Sequence, residues 1–157
     1  MFGDYPTLFF SDSVSYYDSN LDGLLLQYFG RRGHVELACD WLNMISDDQR
    51  EKFVVFSSGN ITTQNEKFFA GYYASMFHHS ISYNDSGVVD NLLAYPYIGF
   101  RMFKKEDEGY SYSDLLSIKA GWVQAMQRDR INENKYVTPG GVQIEVNAEK
   151  WRLGIHN

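Results

Sequence analysis

Residues 68–80 read FFAGYYASMFHHS, with five aromatics and two adjacent histidines in one short stretch. The apolar positions Phe68, Phe69, Tyr72, Tyr73, Met76 and Phe77 fall in doublets. That rhythm matches one face of an amphipathic helix. Ala70, Gly71, Ala74 and Ser75 fall between the doublets, where small side chains let a neighbouring helix approach. Just upstream, Thr63-Gln64-Asn65-Glu66 has the form of a capping box. The stretch therefore predicts a helix, with His78 and His79 in its last turn beside free carbonyls. Residues 83–87, YNDSG, form a turn cluster beyond it.

The same rhythm extends to both sides. Leu24, Leu25, Tyr28 and Phe29 predict a helix ending at Gly30, and Val35, Ala38, Trp41, Leu42 and Ile45 predict the next. Ser46-Asp47-Asp48-Gln49 is a second capping box. It opens a helix through Phe53, Val54 and Phe56 to Gly59. Residues 88–95 predict another helix, stopped near Pro96, and 97–103 a short strand or loop. Leu115, Ile118, Trp122, Val123 and Met126 make a last helical stripe. Residues 1–20 read as a strand or an extended arm. Only the tail clearly alternates: 135–138, then Pro139-Gly140-Gly141, then 142–146 predict a β-hairpin. The expectation is a mainly α (α+β) chain of about five helices with a short C-terminal hairpin, forming one domain over residues 1–157.

A chain of 157 residues buries enough surface to need no staple. Cys39 is the only cysteine, which excludes an intramolecular disulfide and suits a reducing compartment. Residues 1–6 carry no basic n-region, and the uninterrupted apolar runs are short for a bilayer span. A cytoplasmic chain with no membrane partner is expected. The net charge of −6 is uneven: residues 1–100 hold twelve acids and five bases, and 101–157 hold eight acids and nine bases. Without clustered cations a nucleic-acid partner is not expected. An acidic face among 12 tyrosines suits a basic protein instead.

Chemistry is poorly represented. Adjacent helical residues diverge, so His78 and His79 do not share a metal, and the i, i+4 spacing of zinc helices is missing. His34, Cys39 and His156 are scattered. Asp40 beside Cys39 disfavours a thiolate, no Gly-x-Ser-x-Gly elbow occurs, and no glycine motif cradles phosphate. No catalytic residue, metal or cofactor is expected. What remains is a recognition surface: Tyr16, Tyr17, Asp18 and Asp22 in the base-free N-terminal region, with Glu106, Asp107, Glu108, Tyr110 and Tyr112 in and beside an acidic loop.

Residues 24–53, LLLQYFGRRGHVELACDWLNMISDDQREKF, carry Leu25, Tyr28, Phe29, Trp41, Leu42, Asp47 and Asp48 in the order seen in one helical family. The stretch resembles the immunity proteins of bacterial contact-dependent growth inhibition, although Arg31-Arg32 stand where that family carries an acidic pair. The resemblance implies a small cytosolic inhibitor that occludes a toxin domain, often a nuclease, and is not itself an enzyme. Two other readings stand beside it. One is a small hydrolase or nuclease using His34, His78 or His79 with carboxylates. The other is a virus-encoded structural or anti-defence protein.

Overall fold

The structure is a computed structural model that describes residues 5–6, 9, 21–43, 51–80, 88–105, 112–129, 135–150 and 153–154. Its regular elements are all strands: β1 (Gly23–Gly30), β2 (Gly33–Asn43), β3 (Lys52–Thr62), β4 (Phe68–Ser80), β5 (Val88–Lys105), β6 (Tyr112–Asp129), β7 (Tyr136–Val137), β8 (Gly140–Lys150) and β9 (Leu153–Gly154). They pair antiparallel in the order β1-β2-β3-β4-β5-β6-β8-β9, with β7 also on β6. The mainly α, helical expectation is therefore wrong: the described residues contain no helix. The 68–80 stretch is β4, paired along its length with β3 and β5. The stretches read as helices at 24–30, 35–45 and 88–95 are, over their described residues 24–30, 35–43 and 88–95, β1, β2 and the first half of β5. The stripe at 115–126 is β6, and Pro96 lies inside β5, where the ladder to β6 skips Tyr95 and Pro96. The Ser46–Gln49 start lies outside the described residues, and the segment it was to open is β3.

The reason is visible in the doublets. Along a strand, successive side chains point to opposite faces. In β4, Phe68, Tyr72 and Met76 fall on one face while Phe69, Tyr73 and Phe77 fall on the other. A sheet that accepts aromatics on both faces gives doublets, and doublets imitate a helix. The C-terminal hairpin also needs correction. β7 and β8 do not pair with each other; both pair with β6. Pro139 O accepts the Ala125 amide at 2.9 Å, which holds the intervening segment against β6.

The Thr63–Glu66 box is a hairpin turn between β3 and β4. Glu66 N donates to Thr63 O at 2.9 Å, and Thr63 Oγ1 donates to Asn65 Oδ1 at 2.7 Å. Glu66 sits at φ 58°, in the left-handed region that an L side chain enters at a cost. Glu66→Gly is expected to stabilise the fold by about 1 kcal/mol, because glycine takes this φ freely. Chemical denaturation of Glu66→Gly beside Glu66→Ala checks it, since alanine carries the same penalty and should give no gain.

Register divides the sheet into two faces of opposite character. One face carries Leu24, Leu26 and Tyr28 of β1, Val35 and Leu37 of β2, and Ile61 of β3. It continues through Ala70, Ile98, Ala120 and Ile144. We call this the outer face: Ile98 is 69% exposed, Val142 69%, Ile144 67% and Ile61 62%. The inner face carries Glu36, Ala38, Phe56, Ser58, Tyr95 and Tyr97, which are the residues with buried side chains among those described. An ordinary antiparallel sheet buries its apolar face and wets its polar one. This sheet exposes its apolar face and buries Glu36 and Ser58 together with aromatic rings on the other.

Candidate functional site: a polar cavity inside the curled sheet

The sheet curls around its inner face. His34 of β2, Ser58 and Asn60 of β3, Tyr73 of β4, and Glu145 and Asn147 of β8 line one cavity of about 360 Å³. Strands at both ends of the sheet order thus meet across one interior. On the β6–β8 wall, Lys119 and Glu145 are direct register partners, and Lys119 Nζ lies 2.8 Å from Glu145 Oε2. Asn147 Nδ2 donates to Glu145 Oε1 at 3.1 Å. Lys119 Nζ also sits 5.4 Å from the Tyr97 ring centroid and 5.9 Å from that of Tyr95, within reach of the ring faces. The Tyr73 ring stacks against both, at 5.4 Å from Tyr97 and 6.3 Å from Tyr95. The Arg101 guanidinium lies 4.7 Å from the Phe69 ring centroid.

Glycines give these rings their room. A Cβ on Gly121 would overlap the Tyr95 ring, one on Gly71 the Tyr97 phenol, and one on Gly99 the Phe69 ring. Pairing an aromatic with a facing glycine also relieves the weakness that glycine brings to a strand. A short arm enters from the N-terminal side. Tyr5 packs edge-on against Phe56 at 5.8 Å and lies 5.6 Å from Tyr73. Its hydroxyl donates to Glu36 Oε1 at 3.1 Å, and Gln27 Nε2 donates to Glu36 Oε2 at 2.5 Å. Burial pushes the Tyr5 phenol well above its ordinary range, so it stays a donor to that carboxylate.

The cavity offers an ammonium neutralised by a carboxylate, a guanidinium, amides, hydroxyls and phenol rings. This set can hydrogen-bond water and small polar solutes. The three described histidines do not gather in it. Adjacent His78 and His79 point to opposite faces, and His78 Nδ1 pairs with Asp90 Oδ1 at 2.8 Å on the outer one. His34 and His79 share the inner face but stand opposite Asn60 and Lys52 of β3, roughly 27 Å apart along that strand. Among the described residues no group of three potential ligands is placed to hold a metal.

The expected recognition residues are only partly placed. Tyr16, Tyr17, Asp18, Glu106, Asp107, Glu108 and Tyr110 lie outside the described residues. Asp22 immediately precedes β1; its amide donates to Asp40 Oδ1 at 3.0 Å and its carbonyl accepts from Trp41 N. Tyr112 opens β6 opposite Lys105. The two described members therefore stand near opposite edges of the sheet order, and nothing joins them into one surface. Apart from His34, which the hydrolase alternative named, the residues that line the interior were missed. Their signal is a period of two, Ser117-x-Lys119 and Glu145-x-Asn147, with Ile118 and Val146 turned outward between them. Of the segment 24–53, on which the family resemblance rests, the described residues fall in β1, in the turn after it, in β2 and at the start of β3. No protein-family model, curated protein or solved structure matches the chain.

Proposed function

We propose that the chain forms the wall of a membrane-embedded, barrel-like β-sheet, with lipid against its outer face and a polar interior that holds water and small polar solutes. The observation that carries this reading is the partition of polarity: the exposed face is apolar, and the charged and amide groups of the strands, Glu36, Lys119, Glu145 and Asn147, are turned to the inner face among its aromatic rings. Contiguous apolar surface of this extent marks an interaction with a membrane or partner. Strands that alternate apolar-out and polar-in are the pattern of transmembrane barrels.

Three further features support it. From the row of Leu24, Cys39, Val55, Met76, Leu92 and Met126 to the row of Met102, Leu116 and Ala148, the outward-facing residues of the described strands include no Asp, Glu, Lys or Arg. On β5 this band runs from Leu92 to Met102, roughly 34 Å along the strand. A tilt of about 45° leaves about 24 Å along a membrane normal, close to the apolar band of known barrels.

Beyond one edge of the band, charge and aromatic rings appear together. Phe53 stacks on His78 at 4.8 Å, His78 pairs with Asp90, and Arg128 lies 5.1 Å from the Tyr136 ring. Such a row belongs at a membrane–water interface. Within the band, polar side chains are satisfied by the protein. Gln124 Nε2 donates to the carbonyls of Ala125, Thr138 and Pro139, and its Oε1 accepts from Trp122 Nε1 at 3.1 Å. Ser57 Oγ donates to Glu36 O and lies 3.0 Å from Tyr72 OH.

This reading departs from the cytoplasmic, membrane-free expectation, which counted uninterrupted apolar runs. That criterion applies to helices. A strand crosses with alternate residues, and each outward apolar residue is followed by an inward one. The reading also makes a demand. Among the described residues β1 pairs only with β2, and all eight of its residues are exposed. In lipid its free edge needs a further strand, because each unpaired amide there costs several kcal/mol.

Depth-resolved fluorescence quenching tests the proposal. Trp122 stands opposite Val142 near the middle of the band, and Trp41 stands at its rim opposite Phe53. Single-tryptophan variants folded into vesicles of brominated lipid should show Trp122 quenched most by bromines near the bilayer centre, and Trp41 by shallow ones. A chain that stays monomeric in water without detergent, with neither tryptophan quenched, overturns the reading.

A further inference from the structure

The outer face is not smooth. Ala70 of β4 and Ala120 of β6 are small residues on one register row, one on each side of Ile98 of β5, with Ile61, Ile118 and the Phe68–Phe100 pair, whose centroids lie 5.2 Å apart, beside them. Together they form an apolar groove of about 750 Å³, within the roughly 300–1,000 Å³ typical of ligand sites. One cation lines it. Arg32, in the two-residue turn between β1 and β2, stands at the groove's end. Its carbonyl accepts from Thr62 N at 2.8 Å and from Thr62 Oγ1 at 3.2 Å, so the turn is fixed to the groove wall. Lys67 lies in the adjacent β3–β4 turn, and its carbonyl accepts from Arg101 N at 2.7 Å.

From this geometry we infer that the groove binds one anionic glycerophospholipid, with an acyl chain along Ala70 and Ala120 and the headgroup phosphate on Arg32. The inference rests on the membrane reading above. The charge pattern selects the occupant. The groove is apolar along its length and cationic at the β1–β2 turn, where those two strands end, which is the layout of an acyl chain joined to a phosphate. A zwitterionic lipid brings its own cation beside the phosphate and gains less from Arg32. An apolar protein segment would find no counterpart for the guanidinium.

The test uses the full chain folded into nanodiscs of phosphatidylcholine, alone or mixed with phosphatidylglycerol, followed by native mass spectrometry of the lipid retained on release. The wild type is expected to keep one phosphatidylglycerol in preference to phosphatidylcholine. Arg32→Gln should lower that preference by about tenfold, the order expected for one guanidinium–phosphate contact. Ala70→Phe, which fills the groove, should abolish retention of either lipid. Arg31→Gln removes the neighbouring charge without touching the groove and should leave the preference intact. Insertion of all variants with no preference, or equal loss in Arg31→Gln and Arg32→Gln, overturns the groove site and leaves the membrane reading standing. Failure of the wild type to insert overturns both.

Discussion

Ile98→Arg is expected to cost about 2–4 kcal/mol when the protein is folded in a bilayer, and almost nothing if it folds in water. Ile98 lies on the outer face between Ala70 and Ala120, near the middle of the charge-free band, and is 69% exposed. In water a residue so exposed accepts arginine within about 0.5 kcal/mol, since nothing is unpacked and no charge is desolvated. In lipid the same guanidinium must leave its hydration or drag water inward. Depth separates the two cases further. Met102→Arg, at the rim of the band, should cost only about 0–1 kcal/mol. Gln143→Arg faces inward from β8 and should also be mild. Urea titration of vesicle-folded variants measures all three. Equal costs for Ile98→Arg and Met102→Arg would remove the case for a membrane-buried face.

The fold was legible only where one face is polar. In β8, Val142, Ile144 and Val146 alternate with Gln143, Glu145 and Asn147, and the strand is plain from the sequence. In β4 the inner face takes Phe69, Tyr73 and Phe77, with Gly99 of β5 leaving room for the Phe69 ring, as Gly121 of β6 does for the Tyr95 ring of β5. Alternation in volume replaces alternation in polarity, and a hydrophobicity pattern does not record it. Capping boxes misled for a related reason. Thr63 makes local bonds here as it would at a helix start, but its Oγ1 accepts from Phe68 N and its amide donates to Phe68 O, which closes a hairpin turn instead. The interior site was hidden at another level. Lys119 and Glu145 meet only through the β6–β8 register, which no short-range spacing encodes.

The ring-over-glycine arrangement carries its own test. Phe69 and Gly99 are direct register partners on the inner face, and a Cβ on Gly99 would overlap the Phe69 ring. That ring also supports the Arg101 guanidinium and meets Tyr97 edge-on at 6.2 Å. Gly99→Ala should therefore destabilise by about 1–3 kcal/mol, the usual cost of overpacking. This reverses the general preference for alanine over glycine in a strand, which favours alanine by about 0.5–1 kcal/mol. In a Phe69→Ala background the obstacle is gone, and Gly99→Ala should become neutral or slightly stabilising. The double-mutant cycle then yields a coupling of about 1–3 kcal/mol between the two positions. Simple additivity would mean that the ring does not lie over the glycine. The cavity wall built from Phe69, Tyr97 and Arg101 would then need a different packing, and with it the account of how this sheet closes around polar groups.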